Sequence, residues 1–197
     1  MRRLLTTCIA AALLAGGLTL SASPAVFAQE ADPATLAAQR EAMKPLDALN
    51  GRWRGTAWAV DRAGRRTDMI QTERVGPMLD GTIKLVEGRG YALDGELVFN
   101  AFAVIAYDPA RKTYSMRTFA QGRGGEFPLT VTPDGFIWTI PAGPNAMIRY
   151  TAVIKGDSWV EYGEFIAEGR PPMKFIEMTL KRIGDTDWPA AGAVPAK

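Results

Sequence analysis

From Arg52 to Arg182 the chain alternates apolar and polar residues with period two, and turn residues break the alternation at near-regular intervals. The breaks are Asp61-Arg62-Ala63-Gly64, Gly76-Pro77, Asp94-Gly95, Asp108-Pro109, Gly122 to Gly125, Pro133-Asp134-Gly135, Gly156-Asp157 and Gly169 to Pro172. Each supplies a glycine that tolerates positive φ or a proline whose ring fixes a negative φ, as a reversing hairpin requires. The pattern predicts strands near 52–60, 67–75, 81–88, 95–107, 112–120, 126–132, 135–141, 146–155, 158–168 and 173–183. No helical period intervenes, so neighbouring strands run antiparallel. So long a series is best stabilised by closing on itself, which removes the exposed edges. The expected fold is all-β, a single antiparallel up-and-down barrel of about ten strands.

Residues 29–50 do not follow this rhythm. Asp32 has the chemistry of an N-cap and Pro33 that of a first helical residue, and Ala34 to Met43 favours helix. Pro45 ends or kinks it, Leu46 to Leu49 can add one turn, and Asn50-Gly51 is a stop. A short N-terminal helix should precede the barrel. The stretch 185–197 is polar, then rich in Ala and Pro, and reads as a loose tail with Trp188 available to dock on the barrel.

The first 28 residues have a different character. Arg2 and Arg3 precede an apolar run from Leu4 to Leu20, and small residues follow up to Ala28, with Val26 and Ala28 placed for signal peptidase. This is a secretory signal pattern, with cleavage expected after Ala28, or after Ala25 or Ala31. A lipoprotein signal would need a cysteine at the end of the apolar run, and Cys8 lies at its start. The expected layout is a signal peptide over 1–28, a helical segment over 29–50, a barrel domain over 51–184 and a tail over 185–197, in a periplasmic or secreted protein with no stable membrane insertion after processing.

Processing changes the charge. Of the 23 Lys+Arg, Arg2 and Arg3 leave with the signal, so 21 basic residues remain against 21 acidic ones. A chain of zero formal charge and no dense basic run gives nucleic acid no footprint. Cys8 leaves as well, so no disulfide can form and stability must come from burial. The 169 residues after Ala28 can bury about 70% of their unfolded surface, enough for one good core. The chain has no histidine. Without His and Cys there is no ordinary zinc, copper or haem-iron site and no Ser-His-Asp or Cys-His pair. No cofactor or metal is expected, and no pair of side chains at readable spacing demands an enzyme.

In Leu46-Asp47-Ala48-Leu49-Asn50-Gly51-Arg52-Trp53-Arg54-Gly55 a short helix leads into a strand that opens with Trp53. Gly55, Ala57 and Ala59 share its face, leaving room inside a barrel whose narrow end Trp53 would fill. Closing the ring would set Arg182 of the last strand against Trp53 as a barrel-closing structural pair, a cation–π contact of about 0.5–2 kcal/mol. The sequence here resembles the lipocalin-like, calycin-type barrels, and in particular a large set of uncharacterised exported bacterial proteins with that fold. The matching residues are Gly51-Arg52-Trp53-Arg54-Gly55, Tyr107-Asp108-Pro109 followed by Lys112-Thr113-Tyr114, and Glu177-Met178-Thr179-Leu180-Lys181-Arg182. The resemblance implies a barrel capped at one end by the helix, with an apolar interior. It carries no ligand with it, and the iron-ligating histidine of haem-binding relatives is missing.

The strand from Leu97 to Tyr107 is apolar on both faces, which calls for cover on both sides, by the N-terminal helix or a second copy. Candidate ligand-binding residues are Arg117, Arg149, Tyr162 and Glu164. An inward arginine needs a partner, either a carboxylate ligand or a glutamate such as Glu161, Glu164 or Glu177. The competing reading makes these exterior ion pairs on a solvated wall. Gly88-Arg89-Gly90 and Gly122-Arg123-Gly124-Gly125 read as hairpin tips, since no helix follows to make a phosphate loop. The leading functional expectation is a barrel that binds a small apolar or amphipathic molecule. The alternatives are a filled structural or partner-binding barrel, and a barrel enzyme built on Arg, Tyr and Glu.

Overall fold

The computed structural model describes residues 32–61, 63–189 and 194–195; the signal-peptide reading of 1–28 lies outside them. Asp32 caps the first helix, its carboxylate accepting from the amides of Ala34 and Thr35 at 3.1 Å each. Helix α1 (Pro33–Met43) then tightens into a 3₁₀ segment (Lys44–Leu49) at the Lys44-Pro45 step. Proline has no amide to continue the α-helical ladder, so the kink falls there.

Ten strands follow: β1 (Gly51–Val60), β2 (Arg66–Met78), β3 (Ile83–Tyr91), β4 (Leu97–Asp108), β5 (Thr113–Ala120), β6 (Arg123–Thr132), β7 (Gly135–Gly143), β8 (Ala146–Lys155), β9 (Ser158–Ala167) and β10 (Met173–Gly184). Each pairs antiparallel with the next, and β1 pairs with β10 to close the barrel. The period-two pattern and the turn residues thus led to the observed topology.

One end of the barrel is plugged. Met43, Leu46 and Leu49 pack with Trp53, Val75, Ile105, Leu129, Phe136, Ile154, Trp159 and Leu180 in a single apolar cluster. The Trp53 indole N–H donates to the Leu49 carbonyl at 2.8 Å, tying the 3₁₀ segment to β1. Lys84, on the inner face of β3 and 1% exposed, reaches the same segment. Its Nζ donates to Asp47 at 3.1 Å and to Asn50 at 2.5 Å. The Tyr114 hydroxyl donates to the Ala42 carbonyl at 2.7 Å. Helix α1 therefore sits at the end of the barrel and not over the outer face of β4, which was one of the two covers, helix or second copy, that the apolar run allowed. Phe102 on that outer face instead meets Trp188, whose ring lies 6.4 Å from it and 4.2 Å from the Arg74 guanidinium carbon. The tail does dock at that point.

Two further expectations are corrected. Trp53 and Arg182 do oppose each other across the β1–β10 seam. The Arg182 guanidinium, however, donates to Asp185 at 2.8 Å, and the Trp53 ring packs edge to face on Trp159. A carboxylate at hydrogen-bonding distance outcompetes the weaker attraction of a ring face. Gly88 and Gly90 lie within β3, not at a hairpin tip, and the reversal comes later, at Leu93 to Gly95.

The ladder is uneven around the ring. β6 and β7 pair only from Leu129↔Trp138 to Thr132↔Gly135, next to their turn. Residues 123–128 of β6 and 139–143 of β7 have no partner across this seam, although both segments pair with β5 and β8 on their other sides. Pro128 and Pro141 stand in these diverging halves and cannot donate to a ladder. The gap opens at the end of the barrel opposite the plug.

Candidate functional site

The register fixes which side chains enter the barrel. Trp53 and Ala57 are buried on β1, and the residues opposite them on β2 and β10 share their face. Carried round the ring, this places Gln71 and Glu73 of β2, Gly88 and Gly90 of β3, Phe127 of β6, Trp138 of β7, Tyr150 of β8, and Glu161 and Gly163 of β9 inside. Beyond the plugged apolar layer the interior is therefore polar on one side and aromatic on the other.

The polar side begins with Gln71 and Glu73, 5% and 8% exposed. The Gln71 amide donates to Glu73 Oε1 at 2.7 Å. Space for this pair comes from the neighbouring strand. A methyl group on Gly88 would lie 2.7 Å from Glu73 Oε1, and one on Gly90 would lie 3.2 Å from the Gln71 side-chain oxygen. The two glycines of β3 are the cavity in which these side chains fit.

Glu161 enters from β9. The Trp138 indole N–H donates to its Oε1 at 3.2 Å. The Trp159 N–H is directed at the same carboxyl and favours its charged form, but lacks hydrogen-bond geometry and has no partner. Burial pushes Glu161 up to about 7, with the two indoles opposing the shift. The residue as a whole is only half-buried, while its carboxyl is ringed by protein. Burial also pushes Glu73 well above the usual carboxylate range; Gln71 opposes this, and the charges of Glu161 and Glu87 add to it. Two carboxyls thus share one poorly solvated interior, where like charges cannot ionise together cheaply.

The aromatic side is continuous. Phe127 lies 6.0 Å from Trp138, Trp138 stacks on Tyr150 at 4.3 Å and 9°, and Tyr150 meets Phe175 edge-on at 6.0 Å. The Tyr150–Phe175 contact crosses β9 because Gly163 has no side chain there. A methyl group at 163 would lie 2.7 Å from the Tyr150 ring. It also needs the bulge that shifts the β10 register between Lys174 and Ile176. Phe127, Ile140, Ile148, Tyr150, Phe165 and Ile176 are all only half-buried. Solvent therefore reaches this wall in the half of the barrel where β6 and β7 part.

The residues singled out from the sequence lie on the other face. Arg149 and Glu164 do meet, at 2.9 Å, as a cross-strand ion pair on the outer wall. Tyr162 lies beside them under the Lys174 ammonium, 4.5 Å from its ring centre. Arg117 is exposed, with its guanidinium carbon 5.7 Å from the Phe119 ring centre. The exterior reading describes all four. Gln71, Glu73 and Glu161 are the polar residues that face inward beside the aromatic wall, and the sequence offered one clue to them: the spaced glycines of β3, which face the strand that carries Gln71 and Glu73.

A surface hollow of about 430 Å³ lies elsewhere, between α1 and the β4–β5 turn, lined by Ala38, Ala42, Pro45, Tyr107, Pro109 and Tyr114. It is open to solvent, and two of its polar side chains are engaged, Tyr114 with Ala42 and Glu41 with Lys44. The interior has the stronger chemistry.

No family model matches the chain, and no curated protein matches it in sequence. Among solved structures it is similar to the crystal structure of Rv2717c from M. tuberculosis, with 14% identity and a TM-score of 0.55, covering 72% of this chain and 96% of that one. The likeness is one of fold.

Proposed function

We propose that this barrel binds a small amphipathic molecule, which enters through the open end and the β6–β7 gap and rests on the floor formed by Gln71, Glu73 and Glu161. The observation that carries the reading is the pairing of a solvent-reached aromatic wall with a few converging polar groups. Binding sites are typically apolar surfaces with a small number of placed polar anchors. Gly88, Gly90 and Gly163 make the room that Glu73, Gln71 and Tyr150 occupy, and an interior that served only to stabilise the fold would avoid burying carboxyls, which cost. The same proposal takes the protein to be exported, on the leader pattern of residues 1–28, and to meet its ligand in the periplasm or outside the cell.

Native mass spectrometry of the protein purified from its own host tests this. A retained small molecule at one per barrel is the expected result. A bare mass, together with unchanged tryptophan fluorescence across a panel of small aromatic probes, would count against it.

A second reading rests on the outer face of β4 and β5, where Val98 and Phe119 are 39% and 48% exposed. Apolar side chains clustered on an outer wall suit a partner surface. The interior reading is preferred because it also accounts for the buried carboxyls.

A further inference from the structure

We propose that the ligand is an organic cation, a small molecule with an ammonium group and an aromatic or aliphatic body, whose positive charge sits between Glu161 and Glu73. This rests on the binding reading above and names the ligand class.

Charge balance is the first support. Glu73 and Glu161 face one interior, and Glu161 acts on Glu73 as a like charge. Among the described residues, the cations whose register turns them inward are Lys84, Arg182 and Arg123. Lys84 is held by Asp47 and Asn50 at the plug, Arg182 is held by Asp185, and Arg123 stands at an exposed hairpin tip. The remaining ionisable side chain against Glu161 is the Tyr150 phenol, whose ionisation is pushed up to about 12 and which stays neutral. The interior thus holds two acids and no counter-charge of its own. A cation lets both acids ionise, whereas a neutral ligand leaves their ionisation opposed by each other and an anion opposes it further.

Unspent hydrogen-bonding capacity is the second. Trp159 is 2% exposed, and its N–H, aimed at Glu161, has no partner. An indole N–H is a donor only, so its natural partner here is a fully charged Glu161 carboxylate. A ligand cation holds Glu161 in the charged form, in which both oxygens accept most strongly and both indoles can donate to it.

The wall is the third. Trp138, Tyr150 and Phe127 offer ring faces and edges next to Glu161, a surface that attracts the rim of an ammonium group and the apolar body attached to it. Carboxylate and aromatic faces together select a cation over an alcohol of the same shape.

Calorimetric titration at pH 8 with benzylamine, benzyl alcohol and benzoate separates the classes. Benzylamine should bind at least about tenfold more tightly than benzyl alcohol, and benzoate should give no binding heat. In Glu161→Gln the advantage of the amine should vanish, while affinity for the alcohol changes by less than about twofold. Near-UV circular dichroism confirms that the variant is folded, and Glu73→Gln provides a second variant with the same expected direction. Equal affinity for amine and alcohol, or an amine advantage that survives both substitutions, would overturn the cation and leave the binding reading standing. No heat from any of the three probes, with a bare native mass, would overturn both.

Discussion

The indole rings of Trp53 and Trp159 meet edge to face at the plugged end of the barrel, with centroids 5.7 Å apart and planes at 85°. They come from the first strand and the ninth, joined through Leu180 of β10, which pairs with Trp159 and is fully buried. The contact holds the closing seam from inside, and the Trp53 N–H extends it to the 3₁₀ segment. Trp53→Ala removes the ring, the edge contact and the tie to Leu49 at once. It should cost about 3–5 kcal/mol, read as a lowered urea midpoint.

Lys84 joins β3 to the plug through its ammonium, while its stem packs in the wall. Burial pushes its pKa down, and Asp47 partly offsets this. Lys84→Ala should cost about 3 kcal/mol, because both the stem and the tie to Asp47 and Asn50 are lost. Lys84→Met keeps the stem and should cost only about 1 kcal/mol in the same denaturation experiment.

Gly88 and Glu73 are complementary in space. A methyl group at 88 would lie 2.7 Å from Glu73 Oε1, so Gly88→Ala must displace the carboxyl or the strand. The expected penalty is about 1–3 kcal/mol. In a Glu73→Ala background the same substitution should be nearly free. A double-mutant cycle measures the difference, and additive penalties would show that the glycine serves something else.

The Glu161 carboxyl gives stability a definite pH dependence. Its folded pKa is about 7, above the ordinary 4.5. Between these values the folded protein holds a proton that the unfolded chain releases. The contribution is therefore fully present below about pH 4.5 and is lost as pH rises through 7. The loss is on the order of 3 kcal/mol for this group. Glu161→Gln does not titrate, so its thermal midpoint should exceed that of the native protein at pH 8, with the gap closing towards pH 5. A gap independent of pH would contradict the assignment.

The parting of β6 and β7 should be visible in amide exchange. Amides of residues 124–127, 139, 140, 142 and 143 that face the gap have no ladder partner there and should exchange orders of magnitude faster than those of the paired residues 129–132 and 135–138. Uniform protection along both strands would mean that the seam is closed in solution.

The candidate site was only partly legible. In β8, Ile148, Tyr150, Ala152 and Ile154 alternate with Met147, Arg149, Thr151 and Val153, and the fully apolar set is the one that points in. In β9 the inward set is Trp159, Glu161, Gly163 and Phe165, while the outward set includes Val160, Tyr162 and Ile166. There the outer face is as apolar as the inner, and the inward acid runs against the usual rule, so alternation alone cannot assign a side. Arg149 and Glu164 pair because opposite charges on adjacent strands attract, but the sequence offered Glu161, Glu164 and Glu177 alike as partners for an arginine.

Local chemistry determined the rest of the frame. Asp32-Pro33 starts a helix because a carboxylate satisfies free amides, Pro45 bends it because proline has no amide, and most of the turn residues set strands near their observed bounds, although Gly76-Pro77 falls inside β2 and the reversal lies at Leu79 to Thr82. These effects act over a few residues and can be read from a few residues. The identity of the inner face, the meeting of Glu73 with Glu161, and the gap beside Pro128 and Pro141 depend on how β1 closes on β10 and on the register carried round the ring. Period-two alternation is symmetric between its two faces, so only closure could decide which of them became the interior.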